Sequence, residues 1–148
     1  MKLTKRSELG VVRNHDYTIS VTDTSGRRLD FRDITGKDLE FLERMIGDTD
    51  VEKRLTFDNV ISLLTTLSVR DFDFKRLTQR TLGQLFDIAK EHLLCNYMPK
   101  YTWLKQCYTI QNGSFSGIDA MERVPMTKFI AMIQVHQEAV ESINKPTE

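Results

Sequence analysis

The chain has 148 residues, 40% of them hydrophobic and 28% charged, which is the size and balance of one globular domain able to bury its own core. Lys plus Arg and Asp plus Glu number 21 each, so there is no broad positive field of the kind that nonspecific nucleic-acid binding needs. No apolar run approaches the roughly 18 residues a bilayer span needs, the basic and polar start lacks a secretory core, and two cysteines make no disulfide framework. An intracellular protein with reduced thiols is expected.

Residues 1–16 read as a polar N-terminal arm. In YTISVTDTSGRRLDF, apolar Tyr17, Ile19 and Val21 alternate, as do Leu29 and Phe31, around the turn residues Asp23, Thr24, Ser25 and Gly26. That pattern predicts a β-hairpin over 17–32. The period then changes. Thr35 and Asp38 form a capping box, Leu39, Leu42 and Met45 or Ile46 recur at helical spacing, and Gly47 suits a left-handed helix end. Thr56 signals a second start, followed by the stripe Phe57, Val60, Ile61, Leu64 and Leu67.

In RDFDFKRL the acids and aromatics alternate, and Asp71 or Asp73 is the expected cap of the helix carrying Leu77, Leu82, Leu85, Phe86, Ala89, Leu93 and Leu94. Pro99 ends that helix or opens the next, and PKYTWLKQCYTI leaves helix and strand both open. QNGSFSGIDAMERVP, with two glycines and no period, predicts the longest loop. Met126, Phe129, Ile130, Ile133, Val140 and Ile143 mark a last helix, with Gln134, Gln137, Glu138 and Glu141 opposite. The expected fold is α+β: a single domain, 1–148, with an N-terminal β-hairpin followed over 36–144 by a mainly α-helical bundle of about four or five helices.

Catalytic and ligand motifs are scarce. His92, Cys95, Cys107 and His136 could supply four zinc ligands, but only the first two share a helix face, so core packing is the better reading. No local signature selects Cys95 or Cys107 as a nucleophile. NGSFSG is not a nucleophile elbow, which leaves Ser114 and Ser116 as turn residues. Asp71 and Asp73 read as caps before they read as metal ligands, and no glycine-rich phosphate loop occurs. Arg70, Lys75, Arg76 and Arg80, with Phe72 and Phe74 interleaved, form the one patch suited to nucleic acid, and Asp71 and Asp73 cancel half of its charge. No cofactor, no metal and no enzymatic activity are expected. A small nucleic-acid-binding regulatory module is the alternative function.

One resemblance covers roughly the first third of the chain. Tyr17-x-Ile19-x-Val21 followed by SGRRLDFRDITGKDLEFLERM, with Gly26, Phe31, Arg32, Lys37 and Asp38, and then an all-helical remainder containing LFDIAKEHL, resembles the baseplate hub and hub-assembly proteins of T-even-type contractile-tailed bacteriophages. The resemblance implies a structural role in building or plugging the tail hub through contacts with other tail proteins. It also implies a location in the virion tail, or in the host cytoplasm during assembly. Further copies of this chain are a second candidate partner; a membrane is not one.

Two segments suit such contacts. An exposed hairpin edge at Tyr17, Ile19 and Val21 would template a partner's strand, although the ribbon could equally cover the helical core. Phe115, Ile118 and Met121 in the loop would be exposed interface residues, with Phe115 the apolar anchor and the loop mobile until a neighbouring subunit orders it.

Overall fold

The computed structural model describes residues 9–23, 25–46 and 56–144. The expected cap Gly47, the turn residue Thr24 and the first eight residues of the expected arm lie outside them. Strands β1 (Gly10–Arg13), β2 (Ile19–Thr22) and β3 (Arg28–Phe31) form one antiparallel sheet in the order β1-β2-β3. The expected hairpin is β2 with β3. Strand β1 is an addition, drawn from the segment read as a polar arm, and it pairs Val11 with Val21 and Arg13 with Ile19. It escaped the sequence pattern because the inward positions of a four-residue strand are here one valine and one arginine.

This corrects the expected edge. Ile19 and Val21 lie on the central strand, each only 2% exposed, and with Phe31 they face the helices. The ribbon covers the core.

Both sheet turns are three-residue loops closed by a left-handed residue. At the second, the Gly26 N–H donates to the Asp23 carbonyl (3.0 Å) with φ +89°, and the Asp23 N–H donates to the Arg27 carbonyl (3.0 Å). At the first, the Tyr17 N–H donates to the Asn14 carbonyl (3.3 Å), the Asn14 N–H donates to the Thr18 carbonyl (2.9 Å), and Tyr17 takes φ +67°. Glycine adopts that conformation freely, whereas a residue with a Cβ is strained there by about 1 kcal/mol. The turn is braced by Asp16, whose carboxylate accepts from the Thr18 hydroxyl (2.6 Å) and N–H (3.2 Å); those hydrogen bonds hold its pKa below the usual range.

Six α-helices follow among the described residues: α1 (Leu39–Ile46), α2 (Phe57–Leu67), α3 (Gln79–His92), α4 (Lys100–Ile110), α5 (Ile118–Met121) and α6 (Met126–Asn144). Most of the excess over about four or five is α5, a single turn inside the expected loop. Thr56 caps α2 by accepting from the Asn59 N–H (3.2 Å). The cap of α3 is Thr78, which accepts from the Thr81 N–H (3.1 Å), while Asp73 caps only the 3₁₀ turn Phe74–Arg76. Leu77 between them is extended, and this separates the two starts. Helices α2 and α3 pack together and Phe31 meets Phe74 at 6.0 Å, whereas Trp103 of α4 meets Phe129 of α6 at 5.6 Å.

The crossing from sheet to helices, Arg32 to Asp38, joins these two halves of the core. Asp33 is 5% exposed; one carboxylate oxygen accepts from the Ile34 N–H (2.8 Å) and the other from the Thr127 N–H (2.8 Å) at the start of α6. The Ile34 carbonyl accepts from the Met126 N–H (2.7 Å), so this segment caps the final helix from across the chain. Arg32 grips Asp38 with two nitrogens (2.7 and 3.0 Å), and Asp38 also accepts from the Thr35 N–H (2.9 Å), completing the expected capping box. Burial pushes the Asp38 carboxyl up, and the Arg32 and Thr35 contacts outweigh it, so its pKa lies below the usual value. Gly36 lies flat against the Trp103 indole, and a Cβ there would stand 2.2 Å from its Cζ2.

Two stability tests follow from this geometry. Gly36→Ala should cost about 3 kcal/mol in urea unfolding, because neither the crossing backbone nor the fully buried indole can retreat. Trp103, the single tryptophan, reports the transition by fluorescence. Tyr17→Gly should be more stable than Tyr17→Ala by about 1 kcal/mol, the reverse of the order in an ordinary strand. Equal stabilities would show that the left-handed turn carries no strain.

Candidate protein-interaction surfaces

Helix α4 is divided between a buried and an open side. Trp103 and Cys107, four residues apart, are fully buried, while Tyr101, Lys105 and Tyr108 share the opposite face at i, i+4 and i+7. The helix is anchored at its start, where the Lys100 N–H donates to Glu43 Oε1 (3.0 Å). The Lys100 ammonium bonds the Gly36 carbonyl (2.9 Å) and Glu122 (3.0 Å) and lies 4.5 Å from the Trp103 ring centre. The exposed rings are thereby mounted on a fixed helix.

The C-terminus of α4 folds a fourth residue onto that face. The Gly113 N–H donates to the Tyr108 carbonyl (2.8 Å) and the Asn112 N–H to the Thr109 carbonyl (3.1 Å), with φ +56° at Asn112 and +84° at Gly113. This is a Schellman end with asparagine in the left-handed position. Gln111 then spans the turn, its amide donating to the Ser114 carbonyl (2.9 Å) and accepting from the Gly117 N–H (3.2 Å), and the Ser116 N–H donates to Ser114 Oγ (3.0 Å). The result sets Phe115 against Tyr108, ring centres 5.0 Å apart.

Tyr101, Tyr108 and Phe115 remain 72%, 47% and 50% exposed, and the Lys105 ammonium lies 5.5 Å from the Tyr101 ring centre. Neighbouring rings left this open are the composition of an interface anchor rather than of an ordinary surface. Of the three expected loop interface residues, Phe115 is on the surface, Ile118 is partly buried, and Met121 packs in the core at 8% exposure. Met121 faces inward because α5 turns it there, which corrects the reading of the segment as a loop without structure. Tyr101 and Tyr108 were not singled out: in a strand, positions seven apart lie on opposite faces, and only the helical assignment brings them together.

The second surface is the free side of the sheet. On β3, the Arg32 N–H donates to the Leu67 carbonyl (2.8 Å), and the Asp30 carbonyl accepts from the Val69 N–H (2.9 Å), closing that edge. Strand β1 has no such cover among the described residues. Beneath it a groove of about 420 Å³ separates β1 from α3, lined by Leu9, Val11, Gln84, Asp87, Ile88, Glu91 and His92. Arg13 closes one end, its guanidinium 3.3 Å from the His92 carbonyl. Tyr17, 40% exposed, lies in the turn beyond β1.

The other candidates disperse. Cys107 is buried on the inner side of α4, Cys95 is exposed on a 3₁₀ turn, His92 meets Arg13, and His136 lies on α6. Among the described residues no group of three His, Cys, Asp or Glu side chains is placed to hold a metal ion. Burial pushes the Cys107 thiol up to about 11 against the pull of the Lys100 charge. Arg70, Lys75, Arg76 and Arg80 are exposed, but Phe74 is in the core, and Phe72 is packed on Phe74 at 4.8 Å with the Arg27 guanidinium 5.5 Å from its centre. The rings that would have stacked on bases are engaged. No described helix is long and apolar enough to cross a membrane.

The thiols give a direct check on the packing of α4. At pH 8, Cys95 should label quickly with a maleimide and Cys107 at least about a hundredfold more slowly, because the thiolate is the reactive form and this one forms only near pH 11. Comparable rates, read by mass spectrometry of the native protein, would place Cys107 outside the core. Searches against protein-family models, curated proteins and solved structures match none of them to this chain.

Proposed function

We propose that this chain is a non-enzymatic structural or assembly protein that works through protein contacts. The setting we assign is the one implied by its N-terminal resemblance, the baseplate hub of a contractile phage tail. The observation that carries the reading is the aromatic face of Tyr101, Tyr108 and Phe115. Two of its rings sit on a helix fixed from below by Glu43, Glu122 and Trp103 and the third, Phe115, is set against Tyr108 by the turn that ends that helix, so a partner meets a preformed surface and little ordering entropy is lost on binding. Large amphipathic rings on a rigid support are the usual source of interface energy. Lys105 adds a cation at the centre of the face, which favours a partner surface with carboxylates around an apolar pocket. Other tail proteins are the proposed partners, met in the virion or in the host cytoplasm during assembly.

Replacing Phe115 with Ala should weaken binding to a tail protein by about 1 to 3 kcal/mol and leave the melting temperature nearly unchanged, since half of the ring faces solvent. The measurement pairs calorimetric melting with co-purification from assembling tails. A large fall in melting temperature with binding intact would make Phe115 a fold residue. Absence of the chain from tails and from every assembly intermediate would reject the proposed setting.

A further inference from the structure

The two edges of the sheet are treated differently, and the open one is complementary to itself. We infer that β1 pairs with β1 of a second copy across a two-fold axis at Val12, joining two three-stranded sheets into one of six strands. This does not depend on the tail setting.

The register follows from the ladder. The Asn14 N–H bonds the Thr18 carbonyl, so antiparallel alternation turns the N–H and C=O of Val12 and Gly10 toward β2. It turns those of Val11 and Arg13 outward. The same alternation on β3 places the groups of Asp30 and Arg32 outward, and there Leu67 and Val69 take them up. Val11 and Arg13 have no backbone partner of that kind among the described residues.

Two residues with outward groups, spaced by one, are what a two-fold antiparallel pair requires. Val11 of each copy exchanges both hydrogen bonds with Arg13 of the other, giving four bonds about the axis. Val12 then faces its own copy in the closer, non-hydrogen-bonded pair, which covers a valine that is 60% exposed on the isolated chain.

Charge fixes the choice of partner. Val11 and Arg13 point to the same face as Val21 and Ile19, toward α3, and Val11 lines the groove whose wall carries Asp87 and Glu91. Placing Arg13 of the second copy opposite Val11 brings its guanidinium alongside that groove. Among the described residues Asp87 has no ion pair, and Glu91 has one, to His92 (3.2 Å). Each copy therefore supplies one Arg13 and receives one at its acidic wall, the reciprocity that a two-fold interface demands. A foreign strand would need a basic residue at that one position, and this chain already has it.

Sedimentation equilibrium of the purified full chain across a wide concentration range tests the inference. The wild-type protein should form a concentration-dependent dimer. Val12→Glu, which sets two carboxylates against each other at the axis, and Arg13→Glu, which faces an acid to Asp87 and Glu91, should each raise the dissociation constant about tenfold or more. Val12 is exposed and Arg13 makes only long contacts with His92 (3.3 and 3.4 Å), so circular dichroism of dilute protein should not change for either variant, and the melting temperature should hold for Val12→Glu and fall only slightly for Arg13→Glu. The triple variant Arg13→Glu, Asp87→Arg, Glu91→Arg should dimerise again, a recovery that a merely misfolded variant could not produce. A wild-type chain that stays monomeric at every concentration overturns the inference, as does a dimer indifferent to Val12→Glu and Arg13→Glu.

Discussion

The structure depends on one short crossing in which buried polar groups are hydrogen-bonded and an aromatic ring is given room. Between the sheet and α1, residues Asp33 to Gly36 pass beneath the start of α6 and over Trp103. Asp33 and Ile34 accept from the first two N–H groups of α6, and Gly36 leaves room for the indole. A helix start buried without acceptors would be costly, and so would a buried carboxylate without donors. Each removes the other's penalty. The Arg32–Asp38 pair holds the same segment from the sheet side, which makes the angle between ribbon and bundle a consequence of hydrogen bonding as well as of apolar contact.

That crossing also determines which parts of the molecule remain available to others. Because the indole of Trp103 is drawn inward beneath Gly36, the opposite face of α4 must point to solvent, carrying Tyr101, Lys105 and Tyr108 with it. Because β3 runs into the crossing, its outer edge comes alongside the end of α2 and is closed by Leu67 and Val69. The remaining edge, β1, lies farthest from the crossing in chain order and is the one that no described residue covers.

The two proposed contact surfaces differ in kind. At the aromatic face, binding energy comes from rings already held in place by a helix and a Schellman turn, so the partner must bring a complementary pocket. At β1 it comes from backbone groups that any extended strand could use, and selection rests on where Arg13 and the Asp87–Glu91 wall fall in the register. One suits a specific partner and the other suits a copy of the same chain.

What the sequence determined by itself was whatever short-range chemistry controls. The Thr35–Asp38 box, the Thr56 cap, the turn around Gly26 and the first half of α6 depend on residues a few positions apart and are present as read, while the stripes of α2 and α3 hold in part: Val60, Leu64, Leu67, Leu82, Leu85 and Ala89 are buried, Phe57 is exposed, and Leu63 takes a core place that was not read. Tertiary structure decided the rest. Strand β1 lacks a usable period because an edge strand needs only one packed side chain and tolerates an arginine beside it. The helical state of α4, undecided in the sequence, brought Tyr101 and Tyr108 onto one face, and the turn of α5 sent Met121 into the core. Asp33 acts on Thr127 across 94 residues, and no local pattern distinguishes an acid that will cap a distant helix from one that will face water. Hydrogen-bonding propensity belongs to each residue, but its partner is chosen only when packing brings the distant segment within reach.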